Sequence, residues 1–119
     1  DTVTKEDQAA INKFSQLNNR LSELELVVKA KREDLENFEE AGNELMLADD
    51  DETKYLMGEV FVTIANDAAE EKLQEATDAA QALVEEHEEE IEKIKGEMED
   101  LKAKLKVKFG DSIQLEQDP

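Results

Sequence analysis

The sequence predicts a mainly α protein in which two long antiparallel coiled-coil helices are joined by a β-hairpin. Three observations predict this fold. Apolar residues recur at alternating steps of three and four along both halves of the chain, a short β-branched segment separates the halves, and little material is available for a globular core. Of 119 residues, 39% are charged, 39% are hydrophobic and only 4% are aromatic, with four glycines and one proline. Such a mixture is typical of long helices with a narrow apolar seam.

The first helix is predicted from about residue 5 to about residue 47. Thr4 and Asp7 have the spacing of a capping box at its start. Lys31 and Gly42 interrupt the apolar seam, so its packing is expected to be imperfect there. The other seam positions are Ile11, Phe14, Leu17, Leu21, Leu24, Val28, Leu35, Phe38 and Leu45.

The second helix is predicted over residues 67–109. Asp67 is expected to cap it with Glu70 three residues later, and Gly110 to end it. Two successive steps of four around His87 predict a stutter, which locally unwinds a supercoil. The predicted seam contains Leu73, Ala76, Ala80, Leu83, His87, Ile91, Ile94, Met98, Leu101 and Leu105.

A hairpin is predicted between the helices, over about residues 53–65. Four successive acidic residues at 49–52 would place negative charge at the C-terminal end of the first helix, where the helix dipole is already negative. They therefore favour termination of the helix before them. Gly58 suits the first loop position of a type II′ turn between two short strands. We predict that the hairpin contains Tyr55, Leu56, Met57, Gly58, Val60, Phe61, Val62 and Ile64.

This hairpin indicates an oligomer. Because an isolated two-stranded hairpin is at best marginally stable in water, it is expected to extend a sheet supplied by other chains. The alternative is a local sheet that is covered by the chain's own helices.

The net charge of −19 limits the partners that the sequence allows. Because phosphates and anionic lipid headgroups bind Lys/Arg-rich surfaces, we expect neither nucleic acid nor a membrane as a partner. The longest apolar run, near residues 60–64, is far too short to cross a bilayer, and the chain has no cysteine. These features favour a cytoplasmic location and a single domain over residues 1–119.

The sequence offers no arrangement that is typical of an enzyme or a metal site. His87 is the only histidine, and Ile91 stands where a zinc-binding H-E-x-x-H pattern needs its second histidine. Asp49 and Asp51 resemble part of a calcium loop, but Lys54 replaces its required glycine. We therefore expect a protein that is not an enzyme and has no cofactor or metal, with His87 as a seam residue.

Four segments at or beyond the ends of the heptad seams resemble β-class subunits of prefoldin, and they do so in the same order. They are VTKEDQ at residues 3–8 with INKF at 11–14, LMLADDD at 45–51, GEVF at 58–61, and KFG at 108–110 with Ile113 and LE at 115–116. The resemblance covers nearly the whole chain. On this basis the chain is identified as a member of the prefoldin family.

The resemblance implies a heterohexamer of two α-class and four β-class subunits, in which the hairpins complete a multi-subunit β-barrel. It further implies a co-chaperone that captures unfolded or nascent proteins, especially actin and tubulin. The expected partners are the other prefoldin subunits, these clients and the cytosolic group II chaperonin, to which clients are delivered without ATP.

The two chain ends are expected to lie together, far from the hairpin, if the helices fold back on one another. Apolar residues there would present an adaptable surface to clients. The predicted client-contact residues are Val3, Ile11, Phe14 and Val107, Phe109, Ile113 and Leu115, the last two in the tail over 110–119. Alternatively, Ile11, Phe14 and Phe109 simply close the end of the coiled coil.

A second function also fits the periodicity, namely that of a purely architectural coiled-coil subunit in a tethering or cytoskeletal complex. The hairpin and the apolar tail after Gly110 separate the two hypotheses. A simple rod would require neither feature.

Overall fold

A computed structural model describes the backbone of residues 2–48 and 59–110 and the side chains of residues 2–47 and 65–110. It contains two long helices, α1 over Lys5–Ala48 and α2 over Glu59–Phe109. Within the described ranges the structure contains no strand. The predicted mainly α class with two long helices is confirmed.

The first turn of α1 has the reciprocal hydrogen bonds of a capping box. The backbone N–H of Thr4 donates to Asp7 Oδ2 at 3.0 Å, and the backbone N–H of Asp7 donates to Thr4 Oγ1 at 3.1 Å. Both donors would otherwise lack an intrahelical acceptor. At the other terminus, Gly110 has a φ of 59° directly after α2, in the left-handed region that glycine adopts without steric cost.

The start of α2 differs from the prediction. The helix begins at Glu59, so Asp67 and Glu70 lie inside it rather than at its cap. The predicted second strand, with Val60, Phe61, Val62 and Ile64, has its backbone in α2. The backbone groups of a strand need hydrogen-bond partners on a neighbouring strand, whereas those of a helix pair within one segment. A single chain therefore favours the helix over these residues, despite their β-branched side chains.

The remaining hairpin residues, Tyr55, Leu56, Met57 and Gly58, lie outside the described residues. Their predicted conformation therefore stays a prediction. The same holds for the tail residues Ile113 and Leu115.

The chain divides into two compact units, of which unit 1 comprises Asp1–Val28 and Glu86–Pro119. Its parts of α1 and α2 run antiparallel, since Asp7 contacts Lys108 whereas Arg20 contacts Glu90. An apolar seam between them is thoroughly buried and consists of Phe14, Leu17, Leu21, Leu24, Val28, Ile91, Ile94, Met98 and Leu105.

Unit 2 comprises Lys29–Glu85 and packs less tightly. Among its described residues only Ala80 and Val84 are buried. The larger apolar residues of its seam remain half-buried, and these are Leu35, Phe38, Leu45 and Leu73. Small or polar residues at the intervening seam positions, such as Gly42 and Ala76, provide too little side-chain volume to cover them.

The seam of α2 passes through Val84 and not through the predicted Leu83. Val84 is 3% exposed and Leu83 is 36% exposed. Steps of four, three and four then lead from Ala80 through Val84 and His87 to Ile91, which is an unbroken heptad pattern. The predicted stutter around His87 is therefore wrong, because the rotation of α2 turns Val84 rather than Leu83 into the seam.

Candidate functional site

The predicted client-contact residues that the structure describes all belong to unit 1, at the end where α1 begins and α2 finishes. Val3 is 47% exposed and Val107 is 90% exposed. Ile11 and Phe109 are half-buried. We call these four residues, Val3, Ile11, Val107 and Phe109, the terminal patch.

Phe14 differs from the residues of the terminal patch. Its side chain is only 5% exposed and belongs to the core of unit 1. Its position agrees with the alternative in which this residue closes the coiled coil. A client cannot reach the Phe14 ring unless the two helices separate at the seam.

An ion pair between Lys108 Nζ and Asp7 Oδ2 joins the two ends of the described chain. The hydrogen bond from Lys108, together with that from the Thr4 backbone N–H, lowers the pKa of the Asp7 carboxyl from 3.8 to about 2. Lys108 Nζ also lies 5.3 Å from the centroid of the Phe109 ring, within the range of a cation–π interaction. Lys108 thus contacts both Asp7 in the first turn of α1 and the ring of Phe109, the last residue of α2.

A second ion pair in unit 1 joins Arg20 and Glu90. Arg20 Nε donates to Glu90 Oε2 at 2.9 Å, and Nη2 donates to Oε1 at 3.4 Å, which makes the pair bidentate. The pairing lowers the pKa of Glu90 and raises that of Arg20. Both side chains are about half exposed, so the pair contributes more to the register of the helices than to stability.

Neither ion pair was anticipated from the sequence. The partners are 101 and 70 positions apart, and one-chain periodicity does not specify which residues of two helices lie opposite one another. The only available signal was charge: Lys108 lies in the basic last turn of α2, and Asp7 lies in the acidic first turn of α1.

The structure groups no set of metal ligands within its described parts, where three or more His, Cys, Asp or Glu side chains would have to converge. His87 is half-buried in the seam, and its Nδ1 has no hydrogen-bond partner among the residues described. Over the same residues, neither α1 nor α2 offers a stretch long and apolar enough to span a lipid bilayer.

Comparison with known proteins gives a consistent result. The prefoldin subunit family matches residues 8–112. Human prefoldin subunit 4 is 39% identical over 98% of this chain and 88% of its own length. The probable prefoldin subunit 4 of Dictyostelium discoideum is 37% identical over 97% of this chain and 88% of its own. Prefoldin subunit 4 of Saccharomyces cerevisiae is 32% identical over 96% of this chain and 89% of its own length.

No solved structure matches the chain. The sequence relatives belong to the family that the four sequence segments resemble, and both the family match and the relatives cover nearly the whole chain. The chain therefore belongs to the prefoldin family, whose members are subunits of a non-enzymatic co-chaperone.

Proposed function

We propose that this chain is a β-class subunit of a heterohexameric, cytoplasmic prefoldin that captures unfolded or nascent proteins, including actin and tubulin. The complex delivers them to the cytosolic group II chaperonin and uses no ATP itself. The observation that carries this proposal is the family match over residues 8–112, together with relatives named prefoldin subunit 4 that align along nearly the whole chain.

In this proposal, assembly depends on the predicted hairpin over about residues 53–65. Within the complex, Tyr55, Leu56 and Met57 form one strand, Gly58 begins the turn, and Val60, Phe61, Val62 and Ile64 form the other. The β-branched and aromatic residues support this conformation. Other subunits supply the strand edges that a lone chain lacks, and the hairpins together complete a β-barrel.

Client capture depends on the terminal patch and on the tail residues Ile113 and Leu115. The exposure of Val3 and Val107 supports this role, because the free energy falls when an unfolded client covers apolar side chains and removes them from water. Burial of one such side chain contributes about 1.5–3 kcal/mol, so several subunits acting together hold a client reversibly. Phe14 supports the surface from beneath rather than touching the client.

To test assembly, the chain is purified from cells under native conditions, and the mass of the intact complex is measured by native mass spectrometry. We expect a heterohexamer with two α-class and four β-class chains. Recovery as part of a tethering or cytoskeletal complex without other prefoldin subunits would contradict the proposal and support the architectural alternative.

Client capture is tested with the reconstituted hexamer and chemically denatured actin. The double substitution Val3→Ser and Val107→Ser removes apolar surface from the terminal patch, and we expect roughly tenfold weaker suppression of actin aggregation. Leu26→Ser is the matched control, because Leu26 is 69% exposed elsewhere in unit 1. Equal losses in the two variants would exclude a specific role for the terminal patch.

A further inference from the structure

The apolar seam of unit 2 is lined by open grooves that the described side chains of its two helices do not fill. A groove of about 570 Å³ is lined on its apolar side by Leu35, Phe38, Gly42, Met46 and Leu73. Met46 is 71% exposed, although it lies beside this apolar surface. Unit 1 is different, because its seam residues are covered by one another.

A second groove, of about 670 Å³, also borders Leu73. Its floor consists mainly of alanines, since Ala41, Ala69 and Ala76 line it together with Leu45. Alanines let another backbone approach closely, as small residues do wherever helices pack at short distance. Leu73 thus separates two adjoining grooves in unit 2.

The surroundings of these grooves are acidic. Glu39 and Glu70 line the first groove, and Glu44 lines the second opposite a single cation, Lys72. Over residues 29–48 and 59–85 there are thirteen acidic side chains and four basic ones. Two copies of this surface repel one another, so a partner with basic flanks is favoured over a second copy of the chain.

We propose that the two grooves of unit 2, which we call the Leu73 grooves, bind an amphipathic helix of another polypeptide whose apolar stripe is flanked by Lys or Arg. The apolar stripe covers Leu73 and its half-buried neighbours, and the basic flanks meet Glu39 and Glu70. This is the helix-in-groove mode of recognition, with anchors three and four residues apart. The surface is separate from the terminal patch, and the proposal holds whether or not that patch binds clients.

Gly42 provides a sharp test of the Leu73 grooves. A Cβ atom placed there would lie 3.6 Å from Leu73 Cδ2, at ordinary van der Waals distance, so the backbone accepts a larger residue. A leucine at this position extends into the first groove. Gly96 is the matched control, because it is also a helical glycine but a Cβ there meets no atom within 4 Å.

The experiment uses the full chain and two synthetic helical peptides that share one leucine stripe, one with Lys/Arg flanks and the other with Glu flanks. Binding is measured by fluorescence anisotropy, with helix content checked by circular dichroism. We expect saturable binding of the basic peptide and at least about tenfold weaker binding of the acidic one. Gly42→Leu should weaken binding of the basic peptide about tenfold or more, and Gly96→Leu should leave it unchanged.

The charge-reversed variant Glu39→Lys with Glu70→Lys keeps the backbone intact and should shift the preference toward the acidic peptide. Absence of saturable binding by the unmodified chain would overturn the proposal, as would equal binding of both peptides or insensitivity to Gly42→Leu. Self-association of the chain that Gly42→Leu abolishes, measured by analytical ultracentrifugation, would assign the grooves to a second copy instead.

Discussion

Leu24 and Leu26 lie two positions apart on α1, yet one is 1% exposed and the other is 69% exposed. A helix turns about 100° per residue, so a displacement of two residues moves a side chain from the seam to the outer face. Leucine therefore stabilises the fold at position 24, whereas at position 26 it only forms part of the exposed surface.

We expect Leu24→Ala to lower the free energy of unfolding by about 2–5 kcal/mol, because it removes transfer free energy and leaves a cavity beside the seam. Leu26→Ala should change it by less than about 0.5 kcal/mol. Urea denaturation of the isolated chain, followed by circular dichroism, measures both values. Similar losses in the two variants would contradict the seam of unit 1.

The Asp7–Lys108 pair predicts a dependence on acid pH. Because the folded pKa of Asp7 is lowered from 3.8 to about 2, its stabilising contribution is fully present above about pH 3.8 and is lost as the pH falls through about 2. An NMR titration of the Asp7 side-chain carboxyl should follow the low pKa directly.

Lys108→Met should move the pKa of Asp7 back toward 3.8, since the Lys108 hydrogen bond is the largest cause of the shift. Lys106→Met is the control, because it removes the same charge from the last turn of α2 without removing the partner of Asp7. An equal shift in both variants would point to the general field of the basic turn instead of the specific pair.

At the scale of the elements, glycines have opposite roles inside α2 and after its end. Gly96 lies within the helix, where glycine costs stability by its backbone freedom. Gly110 has a φ of 59°, where a Cβ atom is strained. The same substitution is therefore expected to have opposite signs at the two positions.

We predict that Gly96→Ala raises the free energy of unfolding by about 1 kcal/mol, since the new Cβ meets no atom and improves helix propensity. Gly110→Ala should lower it by about 1 kcal/mol, because alanine pays the steric cost of the left-handed region. Thermal and urea denaturation of the two variants measure these changes. Two changes of the same sign would contradict the end of α2 at this glycine.

The signals that predicted the elements were local. Thr4 and Asp7 are three residues apart and form the capping box that their spacing indicates. Residues 60–64 are the exception, since their β-branched side chains favour a strand but the chain by itself offers no strand edge to pair with. Local preference and available partners conflict there, and the helix begins as early as Glu59.

At the scale of the whole molecule, a net charge of −19 and a half-covered seam in unit 2 both indicate a chain that works with partners. Self-repulsion keeps such chains apart from one another. We expect that less acidic partners overcome this repulsion and cover the remaining apolar surface.

We predict that Phe61→Glu with Val62→Glu blocks incorporation into the hexamer, because two charges cannot be buried in a shared barrel without compensation. The matched control is Leu26→Glu with Val27→Glu, a neighbouring pair that is 69% and 39% exposed in unit 1. Native mass spectrometry after co-expression with the other subunits measures incorporation. Normal incorporation of the Phe61 and Val62 variant would refute the role of the hairpin.

The sequence by itself determined the helical class, the cap at Thr4, the glycine that ends α2 and the family. All of these depend on residues within a few positions of one another or on short ordered segments. The tertiary structure decided that Phe14 is buried, that Val84 rather than Leu83 enters the seam, and that Lys108 meets Asp7. These features depend on the rotation and axial register of two helices, which residues far apart in the chain set together by packing.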